Sequence, residues 1–153
     1  MKYFGKLLQK PGLVDSYREL DNEKDILEAL ADYISPNVKD MKSMTDMTDF
    51  VKAFGLKVFA SFKTTRTKYR LDGVSVDLDV ASFGYSVGEI EIVVESEEEI
   101  PDAEAKLENL AKKLGINWKA SYPGKLEEYL RLHNLSLYRE FVAKGVLRNH
   151  SAL

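Results

Sequence analysis

Asp77 and Asp79 alternate with Val76, Leu78 and Val80, and Glu89 and Glu91 alternate with Ile90, Ile92 and Val94. Residues i and i+2 of a strand share a face, so both runs present paired carboxylates on one side and aliphatic side chains on the other. A short Phe83-Gly84-Tyr85 connection joins them, so a hairpin would gather all four acids on one surface. Acids that close together repel unless cations lie among them. A divalent metal would supply that charge, and so would basic side chains that also hold a phosphate chain. The run is no calcium loop: Leu78 and Val80 are too apolar, and no glycine or closing glutamate stands at the required offsets.

The basic groups come just before. Leu56 to Leu71 is rich in Val, Phe, Thr and Tyr and reads as one long strand carrying Lys63, Arg66, Lys68 and Arg70. Asp72-Gly73 is a hairpin turn signal. A basic strand, a tight turn and two acidic strands then form an antiparallel meander, with opposite charges side by side. Lys63, Lys68 and Arg70 read as solvent-facing or paired with nearby acids. Lys125 stands at a helix start, where its ammonium opposes the helix dipole but would share an anion with it.

The remaining elements must position these groups. Residues 3–9 read as a strand, Pro11-Gly12 as a turn and Leu13 to Leu20 as its antiparallel partner. Asp21 or Asn22 caps a helix over Glu23–Ile34, whose Ile26, Leu27, Leu30 and Ile34 share one face. Residues 37–45 read as a loop, and a short helix spans Thr48 to Phe54. Helices are expected over Asp102–Leu114, from Lys125 to His133, and from a cap at Ser136 to Gly145. Ile116 to Tyr122, with the only tryptophan at Trp118, reads as a connection. Tyr129, Leu132 and Leu137 look like core, and His133 and His150 have no metal or catalytic pattern around them.

Composition sets the outer limits. The chain has 153 residues, 44% hydrophobic and 31% charged, as befits a soluble globular domain. A net charge of −3 provides no general attraction to nucleic acid. No apolar run is long enough to span a bilayer and the start has no signal-peptide pattern, so no membrane partner is expected. The absence of cysteine rules out disulfides and thiolate metal sites and fits a cytoplasmic location. No Ser-His-Asp set, Walker loop or Rossmann fingerprint occurs.

Ala60-Ser-Phe-Lys-Thr-Thr-Arg-Thr67, Val76-Asp-Leu-Asp79 with Phe83-Gly-Tyr-Ser-Val-Gly-Glu-Ile-Glu91, and Gly124-Lys-Leu-Glu-Glu-Tyr-Leu130 resemble, in order and spacing, the motifs of CYTH-domain proteins, in particular the animal-type thiamine triphosphatases. Lys10-Pro-Gly12 and Tyr17-Arg-Glu-Leu20 are similar to a hairpin of that family. The resemblance implies an α+β fold, with an antiparallel sheet forming part of a triphosphate tunnel and helices flanking it. It implies magnesium-dependent hydrolysis of thiamine triphosphate to the diphosphate and phosphate. It casts Asp77, Glu89, Glu91 and Asp79 as metal-site acids and Arg66 and Lys125 as phosphate contacts.

The family pattern also opens with a Glu-x-Glu-x-Lys strand and a strand of alternating arginines, and neither is found here. Gln9 stands where the family tends to carry lysine, with Lys10 one place later. The expectation is a single CYTH-like domain over residues 1–153, incomplete at its N-terminal side. Its turnover is expected to be weak or absent. A non-catalytic triphosphate- or metal-binding module and an inactive fragment are the alternatives. Self-association through the exposed edge at residues 3–9 is expected as well.

Overall fold

The computed structural model describes residues 5–10, 16–34, 46–117, 120 and 122–148. The chain divides into two compact units, residues 1–59 and 60–153.

In the first unit, β1 (Gly5–Lys10) pairs antiparallel with β2 (Ser16–Leu20). The register shifts by one residue between Leu8 and Lys10, so the Gln9–Lys10 displacement noted in the sequence coincides with a bulge-like irregularity in the backbone. The Pro11-Gly12 turn and the 37–45 loop lie outside the described residues. Helix α1 (Glu23–Ile34) has the expected bounds. Of the two candidate caps Asn22 serves: its Oδ1 accepts the Asp25 N–H at 2.9 Å and its amide donates to the Asp25 carboxylate at 2.7 Å. Helix α2 (Met47–Ala53) starts under an Asp46 cap, and its Met47 N–H donates to Glu23 at 3.0 Å. Leu20, Ile26, Leu27, Met47 and Phe50 form the core of this unit, flanked by Leu30, Val51 and Phe54.

The second unit holds the meander. Strands β3 (Thr64–Leu71), β4 (Val74–Ala81) and β5 (Ser86–Glu91) form a three-stranded antiparallel sheet with β4 in the middle. The turn between β3 and β4 is the expected Asp72-Gly73, both residues at positive φ, 54° and 82°. That backbone matches the twist of a two-residue hairpin and suits Asp and Gly.

The long strand expected from Leu56 is corrected: residues 56–63 are not in a strand. β4 ends opposite Thr64 at Ala81, and the chain then turns, so among the described residues those before Thr64 have no strand beside them to pair with. Ser82 closes that end instead. Its N–H donates to the Lys63 carbonyl at 2.8 Å and its hydroxyl accepts the Lys63 N–H at 3.1 Å.

A single turn of 3-10 helix (Glu97–Glu99) leads into α3 (Ile100–Lys113), followed by α4 (Lys125–His133) and α5 (Leu135–Ala143). Asn134 rather than Ser136 caps α5, its side chain accepting the Leu137 N–H at 3.2 Å. Leu130 and Tyr138 are buried, whereas Leu132, read as core, is 51% exposed. Trp118 lies outside the described residues. Among those residues, no helix is long and apolar enough to cross a membrane.

The two faces of the sheet are reversed from the usual pattern. On the apolar face Val74 is buried, but Leu78 and Val80 are 47% and 54% exposed. On the charged face Asp77 and Asp79 are 0% and 2% exposed. Buried carboxylates are rare unless paired, so their partners define the site.

Candidate functional site

The turn geometry fixes which basic residue meets which acid. A two-residue loop between Leu71 and Val74 puts Arg66 opposite Asp79 and Lys68 opposite Asp77. The β4–β5 register then puts Glu89 opposite Asp77 and Glu91 opposite Ser75. Directly opposite residues share a face, so Arg66, Lys68, Asp77, Asp79, Glu89 and Glu91 all lie on one side of the sheet.

Arg66 is the hub. Its Nε and Nη2 donate to the two oxygens of Asp79 at 2.7 Å each, a bidentate pair. Nη1 donates to Asp77 Oδ2 at 2.5 Å, and Nη2 also reaches Glu89 Oε2 at 2.9 Å. Lys68 Nζ lies 3.3 Å from Asp77 Oδ2 with a largely exposed side chain.

The second cation comes from α4. Lys125 Nζ donates to Asp79 Oδ2 at 2.5 Å and to Glu89 Oε1 at 2.8 Å. Two local features aim it. The Glu127 carboxylate accepts the Gly124 N–H at 2.7 Å, which closes the first turn of the helix. The Tyr85 hydroxyl, just past the β4–β5 turn, donates to the Pro123 carbonyl at 2.7 Å, which ties the entry of α4 to the sheet.

Aromatic rings secure the same junction. Phe62, Phe83 and Tyr129 form a triangle with centroids 5.2–5.3 Å apart, and His133 lies 4.6 Å from Tyr129. Residues 125, 129 and 133 are spaced by four, so one face of α4 carries the lysine and both rings. That spacing was visible in the sequence, but what it packs against was not.

The electrostatics follow from this arrangement. The bidentate Arg66 bond holds the Asp79 carboxyl well below its ordinary range; burial opposes this, and Lys125 reinforces the lowering. Arg66 is raised in turn, chiefly by its bond to Asp79. For Lys125 burial disfavours the charge, but the bonds to Asp79 and Glu89 outweigh it and the ammonium is held above its ordinary value. Burial, followed by the nearby Glu128 and Glu127, raises the Tyr85 hydroxyl.

Five of the six residues singled out in the sequence thus meet in one ion-pair cluster: Arg66, Lys125, Asp77, Asp79 and Glu89. Glu91 shares the face but has no hydrogen bond or ion pair among the described residues. The acids converge on the Arg66 guanidinium, and among the described residues no three metal-ligating side chains converge as a metal site. Their chemistry suits a hard divalent cation nonetheless, since all are carboxylates. Asp77 Oδ1 is buried with no hydrogen-bond partner among the described residues, an acceptor still to be used.

The sequence matches the CYTH domain over residues 8–121. The chain belongs to the CYTH-domain family. It is similar to thiamine-triphosphatase from Homo sapiens, 34% identical over an alignment of 124 residues that covers 75% of this chain and 53% of that protein. It is 33% identical over 124 residues to thiamine-triphosphatase from Macaca fascicularis, with the same coverage. The chain therefore spans about half the length of these curated relatives. The CYTH fold is an α+β triphosphate tunnel and its members are generally metal-dependent, which agrees with the fold class read from the sequence. Within the CYTH match lie Arg66, Asp77, Asp79, Glu89 and Glu91; Lys125 falls just beyond it.

Proposed function

We propose that this CYTH-family chain binds the phosphate chain of an organic triphosphate, thiamine triphosphate by similarity, and hydrolyses it to the diphosphate and inorganic phosphate. The observation that carries this reading is the cluster in which Arg66 and Lys125 stand among Glu89 and the buried Asp77 and Asp79. Arg66 offers a planar fork suited to phosphate oxygens, and Lys125 a compact charge on a helix start. The four acids Asp77, Asp79, Glu89 and Glu91 would hold magnesium, which when bound neutralises phosphate charge. Water adds to the terminal phosphorus, the bridging P–O bond breaks, and the diphosphate leaves with that electron pair. Arg66 and Lys125 orient the chain and spread the charge that builds on its oxygens.

The whole of residues 1–153 is proposed to belong to one CYTH-like domain, because the matched range crosses the boundary between the two compact units. Cytoplasmic action fits the cysteine-free sequence. Phosphate release from thiamine triphosphate, with magnesium and with EDTA, tests the activity. Parallel runs with ATP and inorganic tripolyphosphate test the substrate. Magnesium-dependent release that favours thiamine triphosphate supports the reading, and no release from any of the three removes hydrolysis.

A second reading is a module that binds triphosphate without turning it over. It is favoured by the fact that the cluster's acids are engaged by Arg66, Lys68 and Lys125 rather than gathered, among the described residues, as a set of metal ligands. Calorimetric binding of tripolyphosphate without phosphate release would select it. Self-association through β1 remains part of the proposal, since its one strand partner among the described residues is β2. Light scattering that shows a monomer at all concentrations would remove it.

A further inference from the structure

The charges of the cluster balance as they stand. Asp77, Asp79 and Glu89 contribute three negative charges, and Arg66, Lys68 and Lys125 contribute three positive ones. A cation entering alone would meet acids already bonded to Arg66 and Lys125. A polyanion entering alone would draw those two bases away and strand buried carboxylates, which is costly. Entry of both gives every charged group a partner again: the bases turn to the phosphates and the acids turn to the cation.

We infer that Arg66 and Lys125 are exchangeable counter-ions whose transfer from the carboxylates to a phosphate chain couples polyphosphate binding to divalent-cation binding. This rests on the reading of the cluster as a triphosphate site. Three observations carry it beyond that reading. Four of the five N–H donors of Arg66 are spent on carboxylates, so the guanidinium has to release some of them to grip a phosphate with two parallel bonds. Lys125 bridges two of the same acids. Asp77 Oδ1 is buried and unbonded among the described residues, so an entering cation would find one acceptor already free. The coupling is reciprocal: whatever factor the phosphate adds to cation affinity, the cation returns.

The test measures each ligand alone, so complexes between them cannot intrude. Binding of Mn2+ to the full chain is followed by the electron paramagnetic resonance signal of the free ion. Binding of inorganic tripolyphosphate is followed by calorimetry in EDTA. Removing a counter-ion should move the two affinities in opposite directions. Arg66→Gln is expected to bind Mn2+ about tenfold more tightly than the unmodified chain and tripolyphosphate about tenfold more weakly. Lys125→Met is expected to shift both in the same directions, and it carries the decision if circular dichroism shows Arg66→Gln unfolded. Lys68→Met removes the same charge from a largely exposed position and is expected to change Mn2+ affinity by less than about threefold.

Tighter Mn2+ binding with weaker tripolyphosphate binding supports the exchange. Unchanged or weaker Mn2+ binding in the counter-ion variants overturns it. So does an equal effect from Lys68→Met, which would reduce the result to a general field. Failure of the unmodified chain to bind tripolyphosphate both in EDTA and with Mg2+ present is a separate outcome, and it overturns the triphosphate site itself.

Discussion

Arg66 and Asp79 face each other across β3 and β4, and the guanidinium meets the carboxylate edge-on with two hydrogen bonds of 2.7 Å. Asp79 is buried and also bonded to Lys125, so its charge holds one strand and one helix to the same point. It is both a candidate ligand and a structural tie.

Asp79→Asn keeps the shape but removes the charge that two cations share. Arg66 keeps Asp77 and Glu89 and Lys125 keeps Glu89, but each loses a charged hydrogen-bond partner, and a loss of about 2 kcal/mol of stability is expected. Urea unfolding measures it, and a change below about 1 kcal/mol would show the tie to be unimportant.

The same pair sets a pH dependence. The folded state holds the Asp79 carboxyl below its unfolded value, so its contribution is present above the ordinary aspartate range. It is lost as the pH falls below about 4, where the unfolded chain takes up the proton first. The stability gap between the unmodified chain and Asp79→Asn should therefore narrow on acidification through that range. Urea midpoints taken between neutral and acid pH check this, and a constant gap would contradict it.

Gly73 closes the β3–β4 turn at φ 82° with open space where a Cβ would stand. Gly73→Ala meets no clash, so its cost is the left-handed backbone alone, about 1–2 kcal/mol. Thermal unfolding reads this as a lower midpoint.

Phe50 is fully buried in the core of the first unit, its ring centroid 4.7 Å from that of Phe54 and tilted 38° to it. Phe50→Ala is expected to cost about 3–5 kcal/mol in that unit. Amide hydrogen exchange in α1 and α2 reports it directly.

Glu91 shares the charged face without a partner among the described residues. Glu91→Gln is expected to leave stability within about 0.5 kcal/mol, since no ion pair is lost. If the assignment of Glu91 as a metal ligand holds, the same variant binds Mn2+ more weakly. Unchanged Mn2+ affinity would remove Glu91 from the set.

Local rules made much of this molecule legible in advance. Helices α1 and α4 have the expected bounds, because caps and the 3.6-residue period act within a few residues. The alternation of Asp77 with Asp79 and of Glu89 with Glu91 placed the acids on one face, and Asp72-Gly73 set the register that pairs Arg66 with Asp79. The strand expected from Leu56 failed because a strand needs a neighbour, and β4 ends before it could supply one.

What the sequence by itself determined, then, is the acidic face and the arginine opposite it, since alternation and a two-residue turn are local geometry. Only tertiary structure decided that Asp77 and Asp79 on this charged face are buried while Leu78 and Val80 face solvent. It alone brought Lys125 to Asp79 and Glu89, across 46 and 36 residues of chain. The physical reason is that burying a carboxylate depends on which cations reach it. Lys125 arrives through Tyr85 on Pro123 and through the ring contacts of Phe62, Phe83 and Tyr129, which no local pattern encodes.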